Sequence, residues 1–290
     1  MEPFDLSHLS RSRAIDAAGI AWDDVPKHPL PADAVRTLRY MQDIETHTVI
    51  YLREMLSTRA IDDPEAVDFL ACWVYEEIGH GRVLAHFLDR AGAPVLPRPR
   101  SRRGFAERFQ AAGITAVAAL WRDFIAVHMT WGAINEITAL TAYRRLGERA
   151  GHPLLSELLT RIARDESRHF AFYYEQAARR LAASATTRRV TRALVDRFWA
   201  PVGTNVQPPA ETRFMAAYLF DGPEGREAAR TIDRTIRRLP GFDGVGLIEA
   251  WVARHASAAS AVADRSHATC EPSFAQKRRG RTADCADTNR

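Results

Sequence analysis

Trp73-Val74-Tyr75-Glu76-Glu77-Ile78-Gly79-His80-Gly81 and Asp165-Glu166-Ser167-Arg168-His169 are the two stretches that decide the fold. Each holds a Glu-x-x-His sequence, Glu77 to His80 and Glu166 to His169. A spacing of three puts both side chains on one helix face, where they can bind one ion together. A chain of this Glu and His content should hold fewer than one such pair by chance, so a single copy says little. Two copies, each centred in a helical pattern, say more.

Outward from these motifs the chain reads as helices. Ala is abundant, the basic residues are almost all Arg, and no alternating β-branched run with hairpin turns is present, which predicts an all-α fold. The first helix is expected from Ala32 to about Arg59, with Leu38, Met41, Val49 and Leu52 at helical spacing. Asp63 suits an N-cap and Pro64 the first helical position, so a second helix runs from there to Arg90. Residues 93–104, rich in Pro and Arg, predict an exposed, extended connection. A third helix covers about Ile114 to Arg149, Gly151-His152-Pro153 turns the chain, and a fourth runs from Leu154 to about Ala183. Shorter helical segments follow at about 186–199, 209–220, 223–238 and 244–255. Residues 256–290 have no period and read as a disordered tail, which leaves 1–255 as one domain.

Register ties the motifs together. Glu45 lies 32 residues before Glu77, and the midpoint, residue 61, is the first predicted turn. Glu136 lies 30 residues before Glu166, and the midpoint, residue 151, is the second. In an antiparallel helical hairpin, residues equidistant from the turn lie at one height, because both helices rise equally per residue. Each hairpin therefore brings a bare Glu level with a Glu-x-x-His. The 59 residues from Glu77 to Glu136 allow a long crossover between the hairpins. The predicted architecture is a ferritin-like four-helix bundle (about 32–183) with one long crossover, plus C-terminal helices (about 186–255). Its metal ligands are Glu45, Glu77, His80, Glu136, Glu166 and His169. Four carboxylates balance two divalent cations. Mixed Glu/His donors favour two iron ions per chain over zinc, with manganese as an alternative.

Residues around the ligands carry further expectations. Asp165 and Glu76 each precede a ligand Glu, and either can reach across to a histidine on a facing helix. His47, His86 and His128 have no acid at ligand spacing and read as ordinary histidines. Trp73 and Tyr173 each lie one turn from a ligand and read as core, with electron transfer as the alternative. Gly132 and Ala133, with Met129 one turn earlier, leave room beside the metals for a substrate channel; close helix packing is the alternative.

Bulk properties narrow the class. The chain has 290 residues, 46% hydrophobic and 26% charged, as in ordinary globular proteins. No apolar run is long enough to span a bilayer, and Met1–Ser12 lacks the apolar core of a secretory signal, so a cytoplasmic protein is expected. Cys72, Cys270 and Cys285 form no C-x-x-C pair, which argues against a disulfide framework or a cysteine metal site. A net charge of +4 does not call for nucleic acid.

With these residues in view, the chain resembles the soluble acyl-carrier-protein desaturase family over roughly residues 20–220. Trp73-x-x-Glu76-Glu77-x-x-His80-Gly81 and Asp165-Glu166-x-Arg168-His169 match that family's two motifs. Trp22-Asp-Asp-Val-Pro is similar to its N-terminal Trp segment, and the resemblance implies a hydrogen bond from Trp22 toward Asp165. It further implies a homodimer that uses dioxygen and electrons from a ferredoxin to introduce a double bond into a carrier-bound acyl chain. Arg98, Arg100, Arg102, Arg103 and Arg108 could then dock the acidic carrier, although a solvated linker is the simpler reading of them. The chain departs from the pattern at Ala139, where the family usually has Thr, and at Ile78-Gly79, where it usually has Asn-Arg.

Single positions weigh against other di-iron functions. Leu84 stands where a radical-bearing reductase subunit carries Tyr, and Ile162 stands where N-oxygenases add a His. Hydroxylation or N-oxidation of a biosynthetic intermediate, and a non-enzymatic ferritin-like iron-binding role, remain the alternatives.

Overall fold

Local chemistry sets where each helix begins and ends. The computed structural model describes residues 15–95, 118, 121–204 and 207–255. Helix α1, Ala32–Leu56, is followed by a 3-10 turn, Arg59–Asp62. It stops three residues short of the sequence expectation because the Thr58 hydroxyl accepts the Ala60 N–H and starts the tighter turn. Asp63 then accepts from the Ala66 N–H, and Pro64 opens α2, Pro64–Arg90. Helix α3, Ile125–Ala150, ends at Gly151. The His152 ring accepts the Leu155 N–H and Pro153 begins α4, Pro153–Ala183. Next come α5 (Ala185–Phe198), capped by Ser184; α6 (Pro209–Phe220); α7 (Gly222–Ile236), capped by Asp221; and α8, residues 247–255. Among the described residues there is no strand, and the chain is all-α.

The third helix departs from expectation at its start. Trp121 is extended and Arg122–Phe124 form a 3-10 turn, so the long helix begins at Ile125 rather than near Ile114. Packing accounts for the break: Phe124 and Val127 join Ala118 in a small cluster covered by Trp121 and by Leu194 of α5. The Thr187 hydroxyl also donates to Asp123 at 2.8 Å, fixing the turn against α5. The Arg98–Arg108 cluster, most of the connection at 93–104 and the tail at 256–290 fall outside the described residues. No described helix is long and apolar enough to cross a membrane.

α1 lies along α2 and α3 along α4, giving two hairpins that meet through α1–α3 and α2–α4 contacts. Leu38, Leu70, Leu84, Phe87, Met129, Ile134 and Ile162 are all buried in the shared core. Each such side chain contributes roughly 1.5–3 kcal/mol by leaving water. Gly81 lets α1 come close at the level of Glu45. A Cβ there would sit 2.9 Å from Thr46 Cγ2 and 3.2 Å from Glu45 Cβ. The helices α5, α6 and α7 pack onto α3, outside the hairpins.

One buried carboxylate holds the C-terminal end. Asp233 of α7 accepts the Ile248 N–H at 3.1 Å and the Glu249 N–H at 2.9 Å, so it caps α8 from a neighbouring helix. Asp233→Ala leaves those two N–H groups unpaired. It should lower stability by about 1–2 kcal/mol, read as a lower urea midpoint at constant slope; an unchanged midpoint would remove the capping role.

Candidate metal centre

The six residues singled out by register meet in the middle of the two hairpins. Glu45 comes from α1, Glu77 and His80 from α2, Glu136 from α3, and Glu166 and His169 from α4. All six are buried. Their donor atoms fall into two groups, each within 4.8 Å: Glu45, Glu77, His80 and Glu166; and Glu77, Glu136, Glu166 and His169. Glu77 and Glu166 belong to both. The two shared groups are the acids of the Glu-x-x-His motifs, and the bare Glu and the His belong to one group each.

Both histidines turn Nδ1 inward. His80 Nδ1 lies 3.3 Å from Glu166 and 3.8 Å from Glu45. His169 Nδ1 lies 3.1 Å from Glu77 and 3.3 Å from Glu166. Their Nε2 atoms point outward and donate crosswise. His80 of the first motif bonds Asp165 of the second at 3.2 Å, and His169 of the second bonds Glu76 of the first at 2.7 Å. An ionised carboxylate can only accept, so Nε2 carries a proton, and Nδ1 is the atom that could face a metal once its own proton is displaced. Arg168 closes the outer ring, donating to Asp165 at 2.7 Å and to Glu76 at 3.0 Å. Its side chain is 55% exposed, so the two ion pairs add little to stability. Their effect is to fix the two acids that orient both histidines.

The unshared acids have aromatic partners. Glu136 accepts the Trp73 indole N–H at 3.1 Å, and Glu45 accepts the Tyr143 hydroxyl. Neither contact was read from the sequence, although the spacing allows both: Trp73 is one turn before Glu77, and Tyr143 is two turns after Glu136. Trp22 is a correction. It does not reach Asp165, whose bonds go to His80 and Arg168; its ring meets His86 edge-to-face at 4.6 Å, and its carbonyl accepts from Arg90. The site chosen for a channel is also filled at one position. A Cβ on Gly132 would lie 2.4 Å from the Tyr173 ring, so this glycine serves close packing, with Met129 and Ala133 buried beside it on α3. His47, His86 and His128 stay outside the cluster. His47 bonds the Asp43 carbonyl, and burial lowers His128 to a pKa of about 4.

Electrostatics test whether these residues suit a metal. Burial, then repulsion from Glu45 and Glu166, raises Glu77 well above an ordinary carboxylate. Burial, then Glu166 and Glu77, does the same to Glu136. Burial opposes charge on Glu166 too, but His169, hydrogen-bonded to it at 3.3 Å, and the His80 imidazole beside it outweigh burial and lower its pKa. Burial lowers both histidines, yet their carboxylate partners raise them well above the usual value. Two like charges 4–5 Å apart repel by roughly 3–4 kcal/mol at an effective dielectric of ~20. Several such pairs would match a domain's whole stability of about 5–15 kcal/mol. Glu45 Oε2, Glu77 Oε1, His80 Nδ1 and Glu166 Oε1 are buried without hydrogen-bond partners, and all four belong to the two groups. Inward-facing orphan polar atoms, four clustered carboxyl groups and two imidazoles whose Nδ1 atoms face them fit divalent cations that displace the bound protons.

Two outcomes follow. Glu77, Glu136, His80 and His169 all hold protons more tightly in the metal-free fold than in water, so an entering cation must displace protons. Apparent affinity should rise with pH across neutrality, and calorimetry in buffers of different ionisation enthalpy should show proton release; pH-independent binding would contradict it. Arg168→Leu should weaken metal binding about 10–100-fold while shifting the melting of the metal-free protein little. Equal loss in both would make Arg168 a stability residue.

Searches against protein-family models, curated proteins and solved structures find no match for this chain.

Proposed function

We propose that this chain is a di-iron, dioxygen-dependent oxidoreductase on a ferritin-like four-helix bundle, acting on a carrier-bound acyl chain as a desaturase does. The observation that carries the reading is the pair of overlapping four-residue groups, drawn from four helices and sharing Glu77 and Glu166. Glu45 and His80 would hold one ion and Glu136 and His169 the other, with Glu77 and Glu166 within reach of both. Six protein ligands for two ions leave coordination positions open, which favours a redox metal over closed structural zinc. Manganese suits the same donors, and metal analysis separates the two.

When bound, the iron pair supplies dioxygen activation and the oxidising power for an unactivated C–H bond. The chain's own part is placement and shielding. The crosswise bonds to Asp165 and Glu76 hold each imidazole in one tautomer and orientation. Trp73 and Tyr143 hold the outer oxygens of Glu136 and Glu45. Leu84, Ile162, Met129 and Ala133, close in sequence to ligands on their helices, are buried and keep bulk water from the site. The acyl substrate, the acidic carrier, a ferredoxin-type donor and a homodimer rest on the motif resemblance.

The test is a reaction with iron-loaded protein, a reduced ferredoxin, dioxygen and a panel of acyl-carrier-protein substrates, followed by mass spectrometry. A product lacking two hydrogens is expected, and Glu77→Gln should abolish it. A gained oxygen atom would instead make the enzyme a hydroxylase. Dioxygen uptake that ends in ferric mineral with every substrate intact would favour iron storage.

A further inference from the structure

Four side chains touch the outer atoms of the unshared ligands, and they differ in kind. Asp165 and Glu76 accept from the histidines; Trp73 and Tyr143 donate to the glutamates. Tyr143 is 1% exposed, and its hydroxyl bonds Glu45 Oε1. The other oxygen of that carboxylate, Oε2, faces His80 and has no hydrogen-bond partner. One carboxylate thus joins a buried phenol to a metal position. A phenol that loses an electron must also lose its proton to end as a neutral radical, and here the acceptor is already in place. Solvent is excluded from the ring, so a radical formed there would be shielded from quenching.

We propose that Tyr143 is a redox-active residue that donates one electron to the metal pair when no substrate is bound. This rests on the di-iron reading above. Reduction of dioxygen to water takes four electrons and four protons. The two ferrous ions supply two electrons, each becoming ferric. Tyr143 supplies the third: its O–H bond breaks, the proton passes to Glu45 Oε1, the electron goes to the dioxygen being reduced, and a neutral phenoxyl radical remains. An external one-electron reductant, such as excess ferrous ion, supplies the fourth, and solvent supplies the other three protons. In this role Tyr143 spends oxidising power that would otherwise damage the site.

Tyr173 is an internal control. It is equally buried and packs against Trp73 at 5.9 Å between ring centroids, but its hydroxyl bonds none of the cluster carboxylates. The experiment loads the full chain anaerobically with a small excess of ferrous ion, admits dioxygen without substrate, and records EPR and Mössbauer spectra on the same sample. A free-radical signal is expected whose hyperfine structure changes when the protein is grown on ring-deuterated tyrosine. Compared at equal iron loading, read from the Mössbauer spectra, it should vanish in Tyr143→Phe and persist in Tyr173→Phe. A diferric Mössbauer spectrum with no radical, or a radical that survives Tyr143→Phe, would overturn the proposal and leave the di-iron site standing. A chain that takes up no iron would overturn both.

Discussion

Four carboxylates share the interior of a helical protein with two imidazoles, and the architecture around them answers to that burden. Isolated buried charges are costly, and clustered like charges more so. In the metal-free fold burial and mutual repulsion make Glu77 and Glu136 harder to ionise, and the two histidines beside Glu166 favour its charge. That arrangement leaves orphaned acceptors facing one another. Divalent cations held there would resolve the repulsion and the missing partners together, which would link metal binding to stability.

Everything outward of the cluster keeps it in register. Short turns, closed by Asp63-Pro64 and His152-Pro153, set the heights of Glu45 against Glu77 and of Glu136 against Glu166. Gly81 lets α1 close on α2 beside Glu45. The crosswise histidine bonds link α2 to α4, and the aromatic bonds link α2 to α3 and α3 to α1. The histidine and aromatic bonds all cross between helices, so one displaced helix would disturb several of the clustered side chains at once. The result is a site whose geometry is set before any ion arrives.

Much of this was legible in the sequence because it depends on spacing. Helical rise and turn position alone put Glu45, Glu77, Glu136 and Glu166 at one level, and the offset of three added His80 and His169. The acids preceding each ligand Glu, Asp165 and Glu76, were readable as crosswise partners for the same reason. Trp73 and Tyr143 escaped because an aromatic on a buried helix face looks like core until a carboxylate is seen at its polar end. Trp22 was misplaced because its supposed partner came from a motif; the actual contact, to His86, depends on how the 3-10 segment Trp22–Lys27 crosses α2. The break at Trp121 depends on packing against α5, which no local pattern encodes.

The central claim is that the two overlapping groups hold two ions. Anomalous X-ray diffraction at the iron edge, on crystals of iron-loaded protein, tests it most directly. The account predicts two peaks about 3.5–4 Å apart, both in contact with Glu77 and Glu166, with His80 and His169 each at a different peak. A single peak, or iron bound only at surface carboxylates, would contradict it.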